Sequence, residues 1–187
     1  MRNIVLTGLL LLASASVSAL DLAGVHLADK VQVGDAGLQL NGAGIHTKWF
    51  FKIYVGALYL PQRQASAEAI IAEEREHRMA LHILHELSGE KLFNAFNDAI
   101  EANHTRAELA ALNVQINQMA QIFESVGEVQ PGDTITLDYL PASGTRITVN
   151  GTVRGNIAGV SFNRALLRIW LGSKPVQEDL KRGLLGG

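Results

Sequence analysis

The sequence predicts an α+β domain in which an antiparallel sheet is covered by helices. Two observations carry this: apolar residues recur at a period of two near both ends of the chain and at helical spacing between them, and a last helical stretch closes the sequence. A third is an Asn150-Gly151 pair between two alternating runs, a strong type I′ hairpin signal.

Ahead of the domain, "MRNIVLTGLLLLASASVSA" has Arg2 near the start, an apolar run from Ile4 to Ala13, and small residues at Val17 and Ala19. This is the pattern of a secretory signal peptide over residues 1–19, too short and too close to the start for a membrane span. The expected mature protein is a single domain, residues 20–187, exported to the periplasm of a Gram-negative cell. No later stretch is long enough to cross a bilayer.

With no cysteine, the chain has neither disulfides nor thiolate metal sites, so packing must stabilise it. Its 16 Lys plus Arg and 18 Asp plus Glu give a net charge of −2, one unit more negative without Arg2. No basic stripe dominates a face, which argues against nucleic acid as a partner.

Along the chain, "LQLNGAG" (Leu38 to Gly44) reads as a short strand running into an Asn-Gly turn, and Lys48 to Leu60 as the strand that follows, ended by Pro61. In "GIHTKWFFKIYVGALYL" every second residue places Trp49, Phe51, Ile53, Val55, Ala57 and Tyr59 on one apolar face, expected to be core. The other face carries His46, Lys48, Phe50, Lys52, Tyr54, Gly56 and Leu58, a mixture that fits either a cleft floor or a wet sheet surface. Ser66 to Glu76 reads as a helix with Ser66 as its cap, and His77 to Leu87 as a further strand.

Ser88 caps a helix over "GEKLFNAFNDAIEAN", with Leu92, Phe96, Ala99 and Asn103 on one face. Thr105 and Glu108 have capping-box spacing and open a second helix, whose stripe Leu109, Leu112, Ile116, Met119, Phe123 and Val126 continues for five turns to Gly127. Three alternating segments follow, "PGDTITLDYL", "TRITV" and "TVRGNIAGVSF". "FNRALLRIWLG" then forms a helix stopped at Gly172, with Trp170 as a packing anchor, and a short helix follows Pro175.

The chemistry the residues exclude is as informative. His82 and His85 lie an odd number apart and point to opposite faces of a strand, which speaks against a shared metal, so no metal site is expected. No G-x-S-x-G elbow is present, and Ser88 and Ser161 read as helix caps. "GAG" at Gly42 to Gly44 is too short for a dinucleotide fingerprint and precedes a strand where that motif needs a helix; no cofactor is expected.

"LNGAGIHTKWFFKIYVGALYL" resembles the early strand pair of the chalcone isomerase fold, "FNRALLRIWLGSKPVQEDLKRGLL" looks like the closing helices of its bacterial branch, and "SGEKLFNAF" is similar in placement to the helix covering the pocket. The resemblance spans Gly34 to about Leu185. It implies an open-faced β-sandwich, a large antiparallel sheet under a layer of helices, with a cleft between them. It further implies one of three functions: binding of a small hydrophobic or phenolic, anionic ligand such as a fatty acid; an active isomerase, an intramolecular lyase acting on chalcone-like substrates; or a non-catalytic envelope partner. Fold alone does not choose among them.

By the same resemblance His46 stands at the position of the family arginine. A histidine is only partly cationic near neutrality, whereas a guanidinium is always charged. Tyr54 falls where the isomerases place a strand hydroxyl. These two are the candidate catalytic residues, with His46 alternatively a turn-exit residue bonded to backbone and Tyr54 alternatively a packed sheet tyrosine. Lys48, Ser88 and Asn163 are candidate ligand contacts: Lys48 as a replacement cation or a snorkelling surface residue, Ser88 near the family's helix-start tyrosine, and Asn163 near a polar substrate contact.

Overall fold

The computed structural model describes residues 20–187, so the segment read as a signal peptide lies outside the described residues. Two short strands, β1 (Leu20–Leu22) and β2 (Val25–Leu27), form a hairpin of their own. They are followed by β3 (Lys30–Val33), β4 (Ala36–Lys48), β5 (Phe51–Leu60), α1 (Ala67–Ala72), β6 (His77–Ile83) and β7 (Leu87–Ser88). Three helices come next, α2 (Gly89–Ala102), α3 (Arg106–Ala111) and α4 (Asn113–Val126). The chain closes with β8 (Glu128–Val129), β9 (Thr134–Leu140), β10 (Gly144–Val149), β11 (Thr152–Ile157), α5 (Val160–Leu171) and α6 (Glu178–Leu184).

Seven strands make one antiparallel sheet in the order β11-β10-β9-β6-β5-β4-β3. On one face Leu58, Met79, Leu81, Ile135, Leu137 and Ile147 pack against α2, α4 and α5, whose Phe96, Met119, Phe162 and Leu166 complete the main core. The opposite face holds a smaller cluster, Val55, Ala57, Tyr59 and Ala80 with Leu27, Val33 and Leu38. Farther along that face the sheet is polar. There Arg78 grips the buried Asp138 through two bonds of 2.6 and 2.8 Å, and Arg146 adds a third at 3.1 Å. One face under helices and one partly open is the expected open-faced architecture.

Local chemistry explains the capped elements. Ser66 accepts from the Ala69 amide and Ser88 from the Lys91 amide, while Thr105 and Glu108 exchange both bonds of a capping box. Asn150 (φ 49°) and Gly151 (φ 78°) occupy the left-handed region that a type I′ hairpin demands.

Four expectations are corrected. The Asn41-Gly42 pair is no turn: β4 runs through it, and Asn41 is an extra residue where the register moves from Leu40–Tyr59 to Gly42–Leu58. Its amide is committed elsewhere, donating to the carbonyls of Leu184 (2.7 Å) and Gln64 (3.0 Å) and accepting from the Gln64 amide (2.7 Å). The expected Lys48 to Leu60 strand instead contains the true turn, Trp49-Phe50, with Lys48 ending β4 and Phe51 opening β5. The five-turn helix is broken at Leu112, whose φ of −97° and ψ of 1° separate α3 from α4. Ser161 lies inside α5, whose cap position is Gly159 at φ 108°.

The small residues of β4 have a packing purpose. A Cβ at Gly42 would stand 2.1 Å from the carbonyl oxygen of Gly183, and one at Gly183 2.4 Å from that of Ala43. Glycine on both elements lets α6 lie directly on β4.

Candidate functional site

Between the sheet and its helices opens a cleft of about 700 Å³, within the range of small-molecule sites. Its floor is Leu81, Ile135 and Leu137 from the sheet, and its roof includes Phe96 of α2, Met119 and Phe123 of α4, and Leu166, Ile169 and Trp170 of α5. The β4–β5 hairpin forms one side wall with His46, Lys48, Trp49, Phe51, Ile53 and Tyr54.

That wall contains the second departure from period two. Between His46–Tyr54 and Thr47–Lys52 the register shifts, and Ile53 is the extra residue. Its carbonyl accepts from the amides of both Leu84 (2.9 Å) and His85 (3.2 Å), which holds the irregularity in place. Past this point the phase reverses, so Phe51 and Ile53 join Tyr54 along the cleft. The expected core face therefore survives only at Val55, Ala57 and Tyr59. Trp49 is 86% and Phe51 58% exposed at the cleft mouth, not buried.

His46, Lys48 and Tyr54 are brought together. The His46 and Tyr54 rings stack at 4.9 Å across the strand pair, and the Tyr54 hydroxyl accepts a 3.0 Å bond from Trp170 Nε1. Burial pushes the phenol well above its usual range, so it keeps its proton at every physiological pH. With an oxygen lone pair used by the indole, that proton has no acceptor among the described residues. It is free to donate to a ligand.

Burial pushes the His46 imidazole below its usual range; the Gln177 side chain pulls the other way, and the Lys48 ammonium adds to the lowering. Its Nδ1 is buried without a hydrogen-bond partner. At neutral pH this residue is therefore a polar contact and not a fixed cation. The cations of the cleft are Lys48 on the hairpin and Lys91 on α2, set against the carboxylates of Glu86 and Asp98.

Ser88 and Asn163 sit elsewhere. The Ser88 hydroxyl is the cap of α2, and Asn163 is buried in α5 with Oδ1 3.1 Å from His77 Nε2; neither lines the cleft. Sequence reasoning passed over Lys91 and over the contact of Trp170 with Tyr54. Helical spacing from the Ser88 cap groups Lys91 with Ala95 and Asp98 on one face, all three of which line the cleft. The indole contact has no sequence signal, since it joins residues 116 positions apart.

A family model described as chalcone isomerase-like matches residues 19–186. The chain belongs to the chalcone isomerase-like family. The fold agrees: the crystal structure of a fatty-acid binding protein of Arabidopsis thaliana superposes on this chalcone isomerase-like chain with a TM-score of 0.71 over 90% of this chain and 96% of that one. The two are 15% identical, so the likeness speaks for fold. No curated protein matches the chain by sequence.

Proposed function

We propose that this chalcone isomerase-like chain is an exported, periplasmic protein of the family's bacterial branch that binds a small hydrophobic anion, a fatty acid or a phenolic compound, in the cleft. The observation that carries the reading is the Tyr54 hydroxyl: protonated, fixed by Trp170, and free to donate within an otherwise largely apolar cavity. The apolar body of the ligand lies among Leu81, Leu137, Phe96 and Met119, where each fully buried methylene contributes about 0.8 kcal/mol. Its oxygen accepts from Tyr54, and Lys48 and Lys91 supply the positive field. The fatty-acid binding of the Arabidopsis protein supports the choice of ligand class.

The arginine position favours binding over isomerisation. His46 is held toward its neutral form, so it offers little to a phenolate that must be kept ionised and oriented. Native mass spectrometry of protein purified from its own host tests the reading. A retained apolar acid supports it. Chalcone turnover above the uncatalysed rate, lost in Tyr54→Phe, would replace it with the isomerase, and an empty, unreceptive cleft would replace it with an envelope interaction protein.

A further inference from the structure

Most large apolar side chains of the described residues are buried; Leu20, Val114 and Val153 are scattered exceptions, and the other exposed ones, all aromatic, are consecutive. Trp49, Phe50 and Phe51 are 86%, 97% and 58% exposed, three in succession at the tip of the β4–β5 hairpin. Trp49 is held at φ 60°, a region that bulky side chains rarely adopt. A turn under no other demand is built from Gly, Asn or Asp, as the Asn150-Gly151 turn of this same chain is. The aromatic tip therefore costs both backbone strain and exposed apolar surface, offset in part by the packing of the Phe51 ring on His85 at 5.1 Å.

The surroundings specify a partner. Lys48 and Lys52 flank the tip, and no acidic residue occurs between Asp35 and Glu68. Aromatic rings followed by lysines are what the boundary of an anionic bilayer accommodates: the rings enter the headgroup layer and the ammonium groups meet lipid phosphates. The tip also adjoins the cleft, since Trp49, Phe51 and Lys48 line its mouth. The nearest acidic neighbours in the cleft lining are off the hairpin: Asp98 is on α2, and Glu86 follows His85, whose ring lies 5.1 Å from Phe51. No helix of the described residues is long and apolar enough to cross a membrane.

We propose that the Trp49-Phe50 tip, with Lys48 and Lys52, docks the protein on an anionic lipid surface and seats the cleft mouth against it, so that an apolar ligand passes between bilayer and cleft. Docking stands on the tip alone; only the passage of ligand rests on the binding function proposed above.

The test is cosedimentation with vesicles of phosphatidylcholine alone and of phosphatidylcholine and phosphatidylglycerol in equal parts. Wild-type protein is expected to partition onto the anionic vesicles with a blue shift in tryptophan emission; Trp170 is already buried, so the shift reports on Trp49. Phe50→Ser is expected to lower the partition coefficient on the order of tenfold, from the loss of one buried aromatic ring. Lys52→Ser is expected to lower it roughly fivefold, an effect that vanishes at high salt. Neither residue lines the cleft, so both variants keep wild-type affinity for a free fatty acid. Equal partitioning of wild type and Phe50→Ser, absence of any anionic-vesicle binding, or a Phe50-dependent dimer that ignores vesicles would overturn docking. Docking without uptake of fatty acid or phenolic compound would leave the docking standing and refute the binding function, and the passage of ligand with it.

Discussion

Trp170 of α5 donates its indole N–H to the Tyr54 hydroxyl of β5 at 3.0 Å, tying the roof of the cleft to its wall. The bond orients the phenol and fixes which way its own proton is offered. Tyr54→Phe removes the donor and leaves the indole N–H unpaired. Affinity for a fatty acid is expected to fall about five- to tenfold, and stability by about 1–2 kcal/mol. Calorimetric titration and denaturant unfolding on the same variant separate the two effects.

His46 supplies a second prediction through its protonation. Because its imidazole is held below the usual range, it is neutral at pH 7.5, and His46→Arg adds a full charge beside the ligand. Binding of an anionic ligand is expected to tighten about three- to tenfold at that pH, as an added charge pair of about 0.7–1.4 kcal/mol would give. In the wild type an anion beside the imidazole raises its pKa, so affinity rises as pH falls toward about 6, and the advantage of the arginine shrinks. Equal affinities for wild type and variant at both pH values would remove His46 from the binding site.

Stability has its own pH dependence. His77 is buried, His46 and His82 partly so, and burial is the largest influence lowering all three. Each is protonated in the unfolded chain at a higher pH than in the folded one. Their contribution is complete above the unfolded value of about 6.5 and is lost as pH falls through the lower folded values. Melting temperature is expected to fall as pH drops below about 6.5, and His77→Gln to flatten the slope without abolishing it. Glu68, Glu108 and Asp133, all held below their usual ranges by backbone and side-chain hydrogen bonds, extend the loss below about pH 4.

The close contact of α6 with β4 predicts a sharp contrast between two glycines. Gly42→Ala drives a methyl group into the Gly183 carbonyl, 2.1 Å away, and is expected to cost about 3 kcal/mol or more. Gly37→Ala meets only the end of the Gln32 side chain at 3.8 Å and is expected to change stability by less than about 0.5 kcal/mol. Denaturant unfolding of the pair measures the difference.

What could be read in the sequence divides along a physical line. Caps and turns decided within four residues were legible: Ser66, Ser88, the Thr105–Glu108 box and the Asn150-Gly151 hairpin all form as their chemistry implies. Features decided by distant partners were not. Asn41 becomes an unpaired bulge residue and not a turn because Gln64 and Leu184 take its amide. Ile53 reverses the phase of its strand where the amides of Leu84 and His85 converge on it, which moves Phe51 from the expected core face to the cleft mouth. In the candidate site, His46, Lys48 and Tyr54 could be grouped because they share one face of what reads as a single strand, although it is the turn at Trp49-Phe50 that sets His46 opposite Tyr54. Lys91 and Trp170 arrive from helices, and strand periodicity carries no information about them.

Whether the cleft is a receptive ligand site is tested most directly by native mass spectrometry of the protein from its own host. The expected spectrum shows a complex heavier than the polypeptide by the mass of one small apolar acid, released on denaturation and retained less well by Tyr54→Phe. A spectrum showing only the bare polypeptide, with no uptake of added fatty acid or phenolic compound, would contradict a receptive cleft.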